Sequence, residues 1–130
     1  MKTPLKDRDV RFFVEDGCLV RTVTASAAAG DSRSYTHRCE KKAFEAVAYA
    51  VEETPAEGEG TSLGDIAKRE KLPFTQANVA LEFLKERGLV EVRHRRCYPA
   101  TRTVHLDAMV EFHALAYAAA GHGHPDTGEG

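Results

Sequence analysis

The 130-residue chain has no tryptophan and only three cysteines, Cys18, Cys39 and Cys97, widely spaced and without a C-x-x-C pair. An odd number in that arrangement argues against a disulfide framework and against a zinc ribbon, so the thiols are read as reduced and structural. No apolar run approaches the roughly 20 residues of a membrane span, and no membrane partner is expected. The opening stretch, Met1 to Asp9, lacks the apolar core of a signal peptide, which points to the cytoplasm. Glycine-rich phosphate loops and G-x-S-x-G elbows are missing, and no cysteine sits beside a base in a catalytic frame. The chain is therefore expected to be no enzyme and to carry no cofactor. Of the histidines, His37, His94, His105 and His113 are scattered, and His122 and His124 share a polar tail without a third ligand. They are read as spacer, and no metal is expected.

What is present suits an ordinary globular protein: 42% hydrophobic and 29% charged residues, enough for one core with appendages and not for two. The formal net charge of -2 conceals an uneven distribution. Residues 61–106 hold nine basic and five acidic groups, whereas residues 107–130 hold no basic and four acidic ones. Where charge sits matters more for a polyanionic partner than its sum.

Asp9–Glu15 and Cys18–Thr24 are rich in β-branched and aromatic residues around Asp16-Gly17, a hairpin signal because a two-residue type I′ turn needs positive φ. The small residues Ala25–Ser32 follow, and Arg33–Arg38 is a candidate third strand. From Glu40 the period becomes helical, with Ala43, Phe44, Val47, Ala48 and Val51 on one face over about 40–53. Proline and glycines make 54–60 an exposed loop. Ser62 and Asp65 cap and charge a second helix that ends near Lys71. A third runs from Phe74 or Thr75 to Arg87, with Ala77, Ala80, Leu81 and Leu84 as its stripe and Gly88 as its stop. Leu89–Arg96 and Thr101–Leu106 show partial alternation around Cys97–Ala100 and read as a basic hairpin. Asp107 is placed to cap a last helix, Ala108 to Ala120, and the tail 121–130 reads as disordered.

Helix, helix, short turn, helix and basic hairpin, with Ala80–Val92 as the most specific segment, resemble the winged helix-turn-helix transcription regulators of bacteria and archaea. The resemblance implies an α+β fold: an N-terminal β-hairpin extension (1–39), a winged helix-turn-helix domain (40–106) and a C-terminal helix (107–120). It also implies a regulator that binds double-stranded DNA. Thr75, Gln76 and Asn78, near the start of the third helix, would read bases in the major groove, since Gln and Asn pair with adenine and Thr meets phosphate or a thymine methyl. Lys68, Lys71, Arg93, Arg95, Arg96 and Arg102 would contact phosphates.

The alternative is a winged-helix module that docks another protein, because Val79, Glu82 and Glu86 occupy the rest of the expected outward face and carboxylates repel phosphate. Met109, Phe112, Leu115, Ala116 and Ala119 form an apolar stripe that either pairs two copies as a homodimer or closes the protomer's own core. The N-terminal β segment leaves room for a small-molecule effector, which nothing else in the sequence supports.

Overall fold

The computed structural model describes residues 8–26 and 32–119. Asp16 and Gly17 take φ of 54° and 79°, the left-handed pair that a two-residue hairpin loop demands. They join β1 (Arg8–Glu15) to β2 (Cys18–Ser26), and β3 (Ser32–Glu40) returns along β2 to make an antiparallel sheet of order β1-β2-β3. The third strand therefore forms, and it leads directly into α1 (Lys41–Glu52). The linker 27–31 and the tail 120–130, with its two histidines, lie outside the described residues.

Val14, Leu19 and Cys39 stand side by side across the sheet and are all buried. They meet Ala43, Phe44, Val47, Ala48 and Val51, which α1 buries as its period requires. α2 (Leu63–Glu70) begins where Ser62 Oγ accepts the Asp65 amide at 3.1 Å, satisfying one of the helix's orphan donors. Lys71, at φ 58°, turns the chain out of α2, and the Leu72 amide closes that end on the Ala67 carbonyl at 2.9 Å. Pro73 then opens α3 (Phe74–Glu86), and Gly88 at φ 77° follows its end.

The hairpin differs from the one expected. Its strands are β4 (Val90–Arg93) and β5 (Arg96–Pro99), with His94 and Arg95 as the two-residue turn. Cys97–Ala100 is thus not the tip, and Thr101–Leu106 is not a strand. Thr61 bridges Cys97 through both backbone bonds, at 2.9 and 2.7 Å, and adds one rung to the hairpin.

The last helix, α4 (Val104–Ala119), starts four residues before Ala108. Asp107 sits in its first turn, where its carboxylate accepts the hydroxyls of Thr101 and Thr103 at 2.9 and 3.1 Å, so it anchors the helix entry instead of capping it.

The Phe112 stripe closes the protomer's own core. Phe112 is 2% exposed and lies 5.4 Å from the Phe44 ring, while Met109, Leu115 and Ala116 pack partly buried beside it. The sheet and α1 leave an apolar trough that needs a cover, and α4 supplies it by packing against α1 and β1. The molecule is a mixed α+β structure with a three-stranded sheet, a two-stranded sheet and four helices among its described residues.

Candidate nucleic-acid interface

α2 and α3 follow one another through the Lys71 turn, and Lys68, Lys71, Thr75 and Asn78 all lie on this segment. Both lysines and Thr75 are exposed, and Asn78 is half-buried. None of these side chains has a hydrogen bond or ion pair among the described residues. Gln76 behaves differently. Its Oε1 accepts the Glu40 amide at 2.9 Å, and Glu40 is the residue that caps α1 without a side-chain bond of its own. Gln76 thus supplies a helix cap from a distance of 36 residues, and that contact holds its acceptor away from any base edge.

Val79 is also displaced from the outward face assigned to it, being fully buried. The reason is the sheet. Gln76, Val79 and Phe83 recur at i, i+3 and i+7, and α3 turns this stripe toward β3 and β2. Phe83 meets Phe12 of β1 edge-on at 5.2 Å. With the Ala80, Leu81 and Leu84 side buried against the helical core, α3 retains one narrow open strip. That strip runs through Thr75, Asn78, Glu82 and Glu86. Glu82 pairs with Lys85 at 3.2 Å and Glu86 with Arg87 at 3.1 Å, so each carboxylate's field is weakened by a neighbouring cation.

The hairpin's basic cluster divides by role. Arg93 and Arg96 face each other across the strands, a like-charge pairing that costs free energy unless each cation is drawn elsewhere. Arg93 lies over the Tyr98 ring, 3.8 Å from its centroid, and donates to the Ala56 carbonyl at 2.7 Å. Arg96 donates to the carbonyls of Glu59 at 2.8 Å and Gly60 at 3.3 Å and to Asp65 Oδ2 at 2.9 Å. Tyr98 completes the set with its hydroxyl on the Gly58 carbonyl at 2.9 Å. Both arginines therefore tie the 54–60 loop to the hairpin, which leaves Arg95, at the tip, with no hydrogen bond or ion pair among the described residues.

Arg102 lies past the opposite end of the hairpin, where it lines a shallow 470 Å³ depression with Glu52, Glu53, Thr54, Pro99 and Thr101. A four-residue strand spans roughly 13 Å, so Arg102 does not join the tip.

The sequence did not reveal the loop's role as an acceptor, because backbone carbonyls carry no residue signature. It also missed a contact at the start of α4. There the His105 ring stacks 3.8 Å from Tyr49 and meets Glu45 at 3.0 Å, and the His105 amide donates to Glu52.

Cys39 and Cys97 are buried, which pushes the Cys39 thiol up to about 12 and raises that of Cys97, whereas Cys18 is half-buried. No group of three metal-ligating side chains occurs among the described residues, and no described helix is long and apolar enough to cross a membrane. Comparison with family models, curated proteins and solved structures finds no match to this chain.

Proposed function

We propose that the chain is a winged helix-turn-helix regulator that binds double-stranded DNA. In this reading the start of α3 enters the major groove and the β4–β5 hairpin is the wing. The observation that carries the reading is the placement of three exposed cations with no partner among the described residues, Lys68 and Lys71 at the α2–α3 turn and Arg95 at the hairpin tip. Thr75 and Asn78 are the base-reading side chains, and Gln76 is a brace. Arg93 and Arg96 shape the wing, and Arg102 is outside the interface.

With three phosphate contacts, the logarithm of affinity should fall with the logarithm of salt at a slope of about -3, near -0.9 per neutralised phosphate. Fluorescence anisotropy on a random duplex at low salt measures this. No binding at micromolar protein, or binding insensitive to salt, refutes the proposal.

A second reading, a protein-docking module, is favoured by the acidic part of the α3 strip, Glu82 and Glu86. In that case Glu86→Lys would weaken capture of a basic partner, whereas on the DNA reading it would strengthen duplex binding.

A further inference from the structure

Phe74 stands in the first turn of α3 with 60% of its surface open to solvent. Among the described residues it is the most exposed aromatic side chain, and it belongs neither to the core nor to the partly buried groups packed on it. We propose that this ring reads thymine, by packing on the C5-methyl group that thymine displays in the major groove. That role rests on the DNA-binding reading above and adds to it the base that the site selects.

The surroundings of the ring decide what covers it. Lys71 precedes it by three residues and Lys68 by six, and both are exposed cations with no partner among the described residues. The first acid on α3, Glu82, comes eight residues later, about 12 Å along the helix at 1.5 Å per residue. An apolar ring beside lysines suits a surface that is anionic at its rim and carries isolated methyl groups within, which is the composition of a major groove. A basic protein drawn to Glu82 and Glu86 would seat further along the helix and meet repulsion here.

The ring has no hydrogen-bonding group, so it discriminates by what it strips of water. Against thymine it buries a methyl group. Against the amino group of cytosine or the O6 and N7 acceptors of guanine it would remove water and return no bond, which costs free energy. Asn78 lies one turn further along the same side of α3, at i+4, where Cβ atoms stand about 5–6 Å apart. Its amide matches the N6 and N7 edge of adenine. Base pairs rise about 3.4 Å each, so the thymine under Phe74 and an adenine under Asn78 should lie one or two steps apart.

Deoxyuridine supplies the test, because it pairs as thymine does and lacks only the C5-methyl. Duplexes that the full chain binds are selected from a random pool, and each thymine of the selected sequence is replaced by deoxyuridine in turn while fluorescence anisotropy reads the affinity. At least one position should weaken binding by about fourfold, the worth of one buried methyl group. Phe74→Ala should keep the thermal melt, since the ring lies outside the core, and should bind the thymine and deoxyuridine duplexes equally. A penalty that persists in Phe74→Ala would assign the methyl contact to Thr75 and overturn the proposal. So would salt-dependent binding in which no deoxyuridine matters, the result expected if a protein covers the ring instead. Either outcome leaves DNA binding itself standing, whereas a chain that binds no duplex at low salt removes both readings together.

Discussion

Gly60 shows how a residue with no side chain can be indispensable. It sits at φ 70°, and a Cβ there would lie 2.8 Å from the Tyr98 ring and 2.9 Å from the Cys97 carbonyl. Gly60→Ala meets both backbone strain and a clash with backbone, so a loss of about 2 kcal/mol or more is expected, read as a lowered urea midpoint. Gly58, at φ 115° but with open space around it, should suffer from the backbone conformation alone.

Cysteine chemistry follows from burial in the same way. Cys39 is raised from an ordinary value near 9 to about 12, chiefly because burial penalises its thiolate. A folded value above the unfolded one means that the unfolded state loses its proton first as pH rises. Stability should be unaffected below about pH 9 and fall above it, with a slope of at most about 1.4 kcal/mol per pH unit until pH 12. Cys39→Ala should flatten that alkaline decline in a chemical-denaturation series. In the native protein a thiol reagent should modify half-exposed Cys18 well before buried Cys39 and Cys97.

Among the elements, α1, α2, α3 and the first hairpin were legible because each carries its own local signal: a helical period, a serine cap, an Asp-Gly turn. The second hairpin was misread for a physical reason. Its turn uses His94 and Arg95 at φ 51° and 69°, which non-glycine residues adopt at a cost. Pro99, at the end of β5, mimicked a turn. What holds the turn is remote, namely the bonds from Arg93 and Arg96 to a loop some 37 residues earlier.

The start of α4 was hidden similarly, since Val104 and Leu106 also fit a strand. The site residues were half legible. The exposure of Lys68, Lys71, Thr75 and Arg95 follows from their positions outside the apolar stripes, and Asn78 is half-buried. The roles of Gln76, Val79, Arg93 and Arg96 depend on partners that no local pattern names.

Three substitutions separate those roles. Arg95→Ala should leave the melt unchanged and weaken all duplexes alike, flattening the salt slope by about one phosphate equivalent. Arg96→Ala should lower stability by about 1–2 kcal/mol, an amount moderated by its partial exposure. Gln76→Ala should cost about 1 kcal/mol through the lost cap on α1, measurable by denaturation, and should leave sequence preference among duplexes unaltered.

For the molecule as a whole, one aromatic chain links every layer: Phe12 to Phe83, Phe83 to Phe44 at 5.7 Å, and Phe44 to Phe112. It crosses from the N-terminal sheet through α3 and α1 to α4. The sheet and α4 are therefore parts of the same core as the helices between them. Phe112→Ala should destabilise the entire chain by about 3–5 kcal/mol. Circular dichroism and amide exchange should then report one cooperative transition, not a loosened tail.

The four bonds that fasten the 54–60 loop to the hairpin all end on main-chain oxygens, those of Ala56, Gly58, Glu59 and Gly60. Such oxygens are supplied by almost any amino acid, so Glu57 and Glu59 are free to drift in identity across generations. The number of residues is not free. Removing or adding one would slide the acceptors by up to about 3.8 Å, the spacing of consecutive Cα atoms, and all four donors would miss together. This segment, acidic and glycine-rich as an expendable spacer would be, should tolerate changes of letter and reject changes of length.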